Sequence, residues 1–147
     1  MTALKELAQD AEKRKTVVDD ACEVLELEVG DKSGISGLAI KGGYKLVQGV
    51  KPGFIREVVD HLLDDFLDAL DPLYQEALEL GKTPGAHLRA HAAQVADALL
   101  AITDKRAETA QRAMIKKTYE KLRPTAKKHV EAAAPRLGAM LDRHAPA

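Results

Sequence analysis

The feature that most constrains the fold is an apolar stripe recurring at helical spacing over residues 52–73. Intervals of three and four residues place these side chains on one broad face of an α-helix. The stripe consists of Ile55, Val58, Val59, Leu62, Leu63, Phe66, Leu67 and Leu70, and acidic residues fill the opposite face. The pattern predicts a central amphipathic helix at about 53–70, which we expect to be the most buried helix.

The rest of the chain repeats this periodicity without any alternating stretch long enough to indicate a strand. Aromatic residues make up only 3% of the 147 residues, and a core of small and aliphatic side chains suits helix packing better than a β-sandwich. We therefore predict one all-α domain over residues 1–147, a single irregular bundle of six to eight helices. No apolar run approaches the roughly 18 residues of a membrane span.

Glycine, proline and capping residues predict where the helices begin and end. We expect a short first helix at about 3–9 that is capped by Thr2, and a helix at about 11–29 that ends at Gly30. Further helices are expected to begin at Asp71–Pro72, at Thr83–Pro84 and at Thr103–Asp104, and Pro124 and Pro135 are expected to divide the last part of the chain.

A glycine-rich segment at residues 34–49 keeps a helical stripe that includes Gly42 and Gly43. Glycine inside a helix costs about 1 kcal/mol relative to alanine, so two adjacent glycines on an apolar face need a reason. We favour close approach of another backbone, with the central helix as the expected neighbour, over the approach of a phosphate or ligand. The segment lacks the glycine patterns of phosphate-binding loops and dinucleotide-binding folds.

Two histidines, His87 and His91, lie four residues apart and share one face of a predicted helix. Both could contact one metal ion, with Glu76 or Glu79 of a neighbouring helix as a conceivable third ligand. The pair lacks the glutamate of the zincin motif, and no local sequence completes a four-ligand set. We favour the alternative that the two histidines pack at the edge of a helix.

Charge is distributed unevenly along the chain. Residues 52–103 carry a net charge of −6 and residues 104–147 a net charge of +6, and we expect the two regions to face each other within one fold. The candidate anion-binding residues are Lys41, Lys45, Lys116, Lys117, Lys121, Arg123, Lys127 and Lys128. Only Tyr119 could stack on a base there, and Glu120 and Glu131 lie at pairing distance along the helix. A solvated or internally paired face is therefore the favoured interpretation.

The location is predicted to be cytoplasmic. Cys22 is the only cysteine, so the chain can form no internal disulfide, which suits a reducing compartment. The first fifteen residues carry dispersed charges and no apolar core of the kind found in secretory signals, so we expect no such signal.

Several segments resemble a family of small, uncharacterised all-helical proteins from bacteria. They are DKSGISG at 31–37, PGFI at 52–55, LDPLY at 70–74, YEKLRP at 119–124 and AKKHVE at 126–131. The resemblance covers most of the chain and implies a single bacterial, cytoplasmic domain. It implies no activity, cofactor or catalytic residue.

The favoured function is a non-enzymatic interaction or scaffold module, because amphipathic helices are abundant and catalytic motifs are lacking. Its expected partner is another protein, with self-association as an option, and no cofactor is predicted. One alternative is binding of nucleic acid or phospholipid through the basic C-terminal region, which we favour less. The other is a metal-binding enzyme that uses His87 and His91, although the sequence leans against enzymatic activity.

Overall fold

The computed structural model describes residues 4–145, and this part of the chain is all-helical, as predicted. It contains a 3₁₀ helix at Leu4–Ala8, followed by α1 (Ala11–Asp31), α2 (Gly34–Gln48), α3 (Phe54–Glu79), α4 (Pro84–Ala90), α5 (Ala92–Glu108) and α6 (Ala113–His144). The predicted Thr2 cap lies outside the described residues. No helix among residues 4–145 combines the length and apolarity that a membrane crossing requires.

Two long helices organise the packing. Helix α3 packs against the 3₁₀ helix and against α1, α2, α4 and α5, while α6 packs against α1, α2, α4 and α5. From the predicted stripe of α3, Leu63, Leu67 and Leu70 are buried, whereas Leu62 and Phe66 are partly exposed. The core brings these leucines together with Leu4, Leu7, Val17, Val18, Leu73, Tyr74, Leu88, Val95, Leu99 and Leu141.

Proline does not break the long helices, so three predicted boundaries are wrong. Pro72 lies inside α3, and Pro124 and Pro135 lie inside α6. All three prolines are exposed, on the side of the helix where water can satisfy the carbonyl that loses its partner. The predicted cap Asp71 is buried instead, and its carboxylate accepts a hydrogen bond from the Leu4 amide at 3.3 Å.

Other boundaries moved for similar reasons of tertiary packing. Helix α1 continues through Gly30 to Asp31. The Asp31 carboxylate forms an ion pair with Arg136 of α6. Thr103 and Asp104 lie within α5 rather than capping a helix. The break predicted after residue 81 is confirmed, because the Thr83 hydroxyl accepts a hydrogen bond from the Ala86 amide, with proline at the first helical turn.

An unpredicted turn at His91 separates α4 from α5. The short α4 is held by a backbone-to-backbone contact in which Gly85 meets Gly138 of α6. A Cβ on Gly138 would lie 2.8 Å from the Gly85 carbonyl oxygen and 2.9 Å from its Cα. The Gly85 amide also donates to the Asp142 carboxylate at 2.9 Å. These contacts fix the position of His87, two residues further on.

Candidate functional site

An apolar cavity of about 300 Å³ lies between α1, α3 and α6, and we call it the α1–α3–α6 cavity. Its lining residues are Ala21, Val24, Leu25, Glu28, Val29, Lys32, Ile40, Val59, Leu63, Phe66, Leu67, Leu70, Leu99, His129, Val130, Ala133, Leu137, Met140 and Leu141. All but Glu28, Lys32 and His129 are apolar. The volume falls at the lower end of the range for small-molecule sites.

The three polar lining residues form a connected group. The Lys32 ammonium donates to the Glu28 carboxylate and to the backbone carbonyl of His129, both at 3.2 Å. Glu28 also pairs with Arg136 at 3.3 Å, and Arg136 pairs with Asp31 at 2.5 Å. Two cations therefore meet two carboxylates, so this end of the cavity carries no net charge.

The His129 ring closes the polar group on the side of α2. Its Nε2 lies 3.2 Å from the Ser36 hydroxyl. Burial lowers the pKa of His129 from its usual 6.5, and the nearby charges of Lys32 and Lys128 lower it further. The imidazole is therefore neutral at neutral pH, and it can exchange hydrogen bonds without adding charge.

The cavity remains open because few bulky side chains are available to fill the space between the helices. Phe66 is the only aromatic ring in the lining besides the His129 imidazole, and small residues such as Ala21 and Ala133 face the space from α1 and α6. Aliphatic side chains on helices of fixed spacing then cannot close the gap. No local sequence pattern predicted the cavity, and the low aromatic content was its only signal.

The two glycines singled out in α2 face different surroundings, and neither lines the cavity. Gly43 packs on α6, where an added Cβ would lie 2.8 Å from Leu122 Cδ1 and 3.1 Å from Thr118 Cγ2. Gly42 is exposed, and a Cβ there would meet nothing within 4 Å. The structure thus places Gly43 against side chains of α6, not against the backbone of the central helix as expected, and it places Gly42 on the open surface.

Helix α2 also presents apolar side chains to solvent. Ile35 is 92% exposed, Leu38 70% and Leu46 56%. Only Gly37 and Gly43 are buried in this helix, although its sequence is rich in apolar residues. Exposed leucine and isoleucine at helical spacing form a contiguous apolar strip, which we call the α2 strip.

The structure brings His87 and His91 together with Glu76 of α3. One possible ligand atom from each residue lies within 4.8 Å of the other two. His87 Nε2 is 2.7 Å from Glu76 Oε1, and the two imidazole ring centroids are 4.2 Å apart. Of the two acids considered from the sequence, Glu76 is therefore the one in this cluster.

The candidate anion-binding residues differ in whether they already form ion pairs with other helices. Arg123 pairs with Asp104 at 2.8 Å and Lys127 with Asp97 at 3.1 Å, both on α5. Ion pairs among residues 4–145 involve none of the others: Lys41, Lys45, Lys116, Lys117, Lys121 and Lys128. The expected local partner of Lys127, Glu131, is thus replaced by an acid on a neighbouring helix.

The acidic face of α3 is also paired with basic residues from other segments. Arg14 contacts Asp60 at 2.8 Å and Asp64 at 3.2 Å, and Arg106 contacts Asp65 at 2.8 Å. Lys5 adds a further ion pair with Asp68. These contacts link the 3₁₀ helix, α1 and α5 to α3. Within residues 4–145, only Arg106–Asp65 and Lys127–Asp97 join the acidic region 52–103 to the basic region 104–147 as expected, because Lys5 and Arg14 come from the first part of the chain.

The fold defines the class of this molecule: an all-helical protein with an apolar cavity between α1, α3 and α6. The chain belongs to the DUF6918 family, a family of unknown function whose model matches residues 4–145. This confirms the resemblance to uncharacterised helical proteins. No curated protein and no solved structure matches the chain.

Proposed function

We propose that the protein binds a small, uncharged apolar ligand in the α1–α3–α6 cavity. The observation that supports this is the lining, in which apolar side chains from five helices surround a volume of about 300 Å³. Burying apolar ligand surface stabilises a complex by about 25 cal/mol per Å² before the costs of association.

The volume indicates the size of ligand. An engineered apolar cavity of about 150 Å³ stays dry and binds benzene. The α1–α3–α6 cavity is about twice that size, which suits a bicyclic aromatic compound or a medium-length alkyl chain.

The polar group at one end indicates the charge of the ligand. Lys32 and Glu28 already neutralise each other, and their side chains are only 10% and 11% exposed. A carboxylate on the ligand would compete with Glu28 for Lys32 and leave a buried negative charge poorly paired. A hydroxyl could instead share hydrogen bonds with Glu28 or with the neutral His129 ring.

Fluorescence titration with N-phenyl-1-naphthylamine, an uncharged naphthyl probe, tests the proposal. We expect saturable 1:1 binding to the full chain. Ala133→Leu fills part of the cavity and should weaken binding at least tenfold, whereas Ala132→Leu, at the exposed neighbouring position, should not. Absence of saturable binding, or equal affinity of the two variants, would overturn the proposal.

Competition against the bound probe tests the charge preference. At neutral pH we expect 1-decanol to displace the probe at a lower concentration than decanoate. The reverse order would show that Lys32 is available to an anionic head group, and the assignment to uncharged ligands would then be wrong.

We propose a second function, self-association, for the α2 strip, with a second copy of this chain as its partner. The strip is apolar, and Gly42 within it leaves room for close approach of another helix. Close to it, α2 exposes Lys45 and the adjacent α1 exposes Glu26. A two-fold interface repeats the same patch on both subunits and can set these opposite charges against each other.

Sedimentation velocity over a range of concentrations tests this second function. We expect a reversible dimer that Leu38→Glu converts to a monomer, while Leu78→Glu, on an exposed position of α3, leaves it intact. A wild-type protein that stays monomeric at high micromolar concentration would refute self-association through α2.

A further inference from the structure

We propose that Glu76, His87 and His91 form a binding site for a divalent transition-metal ion, with Zn²⁺ as the best match. The three residues come from α3, from α4 and from the turn that follows α4, and their possible ligand atoms lie within 4.8 Å of one another. Two imidazoles and one carboxylate form a ligand set that zinc uses in proteins, with the fourth position open to water.

The His91 ring is already arranged as a ligand. Its Nδ1 lies 2.9 Å from the backbone carbonyl oxygen of His87, and a carbonyl can only accept a hydrogen bond. Nδ1 therefore carries the proton in the neutral ring, which leaves the lone pair on Nε2 free. A hydrogen bond from the remote nitrogen to a carbonyl is the usual support of a metal-binding histidine.

The His87 ring has an unusual environment for a histidine that only supports packing. Its side chain is fully buried, and its Nδ1 has no hydrogen-bond partner among residues 4–145. Leaving a buried polar atom without a partner destabilises the folded state. An apolar side chain would avoid that cost, so the position indicates that the other ring nitrogen, Nε2, which faces Glu76, is used.

The contact between His87 and Glu76 must lengthen to admit an ion. His87 Nε2 and Glu76 Oε1 are 2.7 Å apart, as a direct hydrogen bond requires. Two ligands of one tetrahedral zinc ion, each bound at about 2.0–2.1 Å, lie about 3.3 Å apart. Glu76 is half-exposed, so rotation of its side chain can open this gap without disturbing the buried His87 ring.

The ligand types select among metals. Calcium and magnesium require mostly oxygen ligands, and this cluster offers one carboxylate. Imidazole suits zinc, copper, iron and nickel, and the exposed side of Glu76 provides a route for the ion and for a bound water. A zinc-bound water would be a potential nucleophile, since zinc lowers its pKa to about 7.

Isothermal titration of the full chain, freed of metal by chelation, with ZnCl₂ tests the site. We expect one high-affinity site, which His91→Asn or Glu76→Gln weakens at least 100-fold and 10-fold, respectively. Glu79→Gln is the matched control, because Glu79 is an exposed acid on the same helix outside the cluster, and it should bind like wild type.

Spectroscopy and melting curves distinguish a metal site from a structural hydrogen bond. Co²⁺ should give tetrahedral absorption bands without a thiolate band, because the cluster contains no cysteine. Zn²⁺ should raise the melting temperature of wild type and of Glu79→Gln, but not of His91→Asn. Equal zinc affinity in His91→Asn and wild type, or no binding by wild type, would overturn the proposal.

The metal site and the ligand cavity are independent proposals. Ala133→Leu should leave zinc affinity unchanged, and His91→Asn should leave naphthyl-probe affinity unchanged. Loss of one activity in the variant designed for the other would show that the assignments of residues to the two sites are wrong.

Discussion

Helices α4 and α2 both pack on α6 through a glycine, but with opposite results. At α4, Gly85 and Gly138 bring two backbones into contact, and Leu88 beside them is completely buried. At α2, Gly43 meets only the ends of two side chains, and the helix leaves Leu38 exposed and a cavity nearby. The α4 contact is rigid backbone packing, whereas the α2 contact leaves space and apolar surface that a ligand or partner can use.

The largest expected difference between the two regions comes from truncating a leucine in each. Leu88→Ala removes a fully buried side chain and should lower the free energy of unfolding by about 3 kcal/mol, whereas Leu38→Ala should change it by less than about 0.5 kcal/mol. Urea unfolding at a protein concentration low enough to keep the chain monomeric measures both. Equal losses under those conditions would show that another part of the same chain covers Leu38 in solution.

The next largest difference is expected between alanine substitutions at the two contact glycines, Gly138 and Gly43. Gly138→Ala forces a Cβ against the Gly85 backbone, which cannot yield, so we expect a loss of about 2 kcal/mol. Gly43→Ala meets the flexible ends of Leu122 and Thr118, and its better helix propensity offsets part of the strain. Thermal unfolding should therefore place Gly43→Ala within about 1 kcal/mol of wild type. A milder effect at Gly138 than at Gly43 would reverse the comparison.

Gly42 should respond in the opposite direction. Alanine there adds a Cβ in open space within a helix, so we expect Gly42→Ala to raise the free energy of unfolding by up to about 1 kcal/mol. Chemical denaturation at low protein concentration measures this in the monomer. A destabilised Gly42→Ala monomer would mean that the α2 backbone is not helical at this position.

The smallest expected effect is the pH dependence of stability that arises at the contact between α5 and α6. Hydrogen bonds from Arg123 and then from Tyr119 lower the pKa of Asp104 below its usual 3.8. The folded state therefore prefers the carboxylate, so this contribution is present above about pH 4 and is lost as the pH falls through the lowered pKa. Asp104 is partly exposed, so we expect less than about 1 kcal/mol, measured as a weaker acid dependence in Asp104→Asn.

Tyr119 gives the alkaline counterpart of that measurement. Burial, followed by the hydrogen bond to Asp104, raises the pKa of Tyr119 to about 12. The folded state prefers the neutral phenol, so its contribution is full below pH 10 and is lost as the pH rises toward 12. Tyr44 and Tyr74 also absorb at 295 nm, so the difference between wild type and Tyr119→Phe isolates Tyr119, and it should show a phenolate transition near pH 12. A transition near pH 10 would mean that the contact with Asp104 is open in solution.

The sequence predicted the helical elements better than their ends. Thr83 and Pro84 acted as expected because an N-cap is a local hydrogen bond. Pro72 did not end α3, because buried residues on both sides, Leu70 and Leu73, pack in one continuous helix whose stability exceeds the local proline penalty. Asp104 was mistaken for a cap because its partners, Arg123 and Tyr119, come from another helix.

The candidate sites divide in the same way. The four-residue spacing indicated that His87 and His91 lie close together, and the sequence offered two candidates for the third ligand. Only the packing of α4 on α3 shows that Glu76 is the acid beside them. The α1–α3–α6 cavity had no such local signal. Its volume depends on how side chains from several helices fail to fill shared space, which no window of sequence contains.

What the sequence determined by itself was the all-helical class, since apolar periodicity and capping act over a few neighbouring residues. Tertiary structure decided which glycine meets another helix, which acid joins the histidines, which charges pair and where space is left. These outcomes depend on side chains far apart in the chain, whose contact energies become defined only once the helices have packed together.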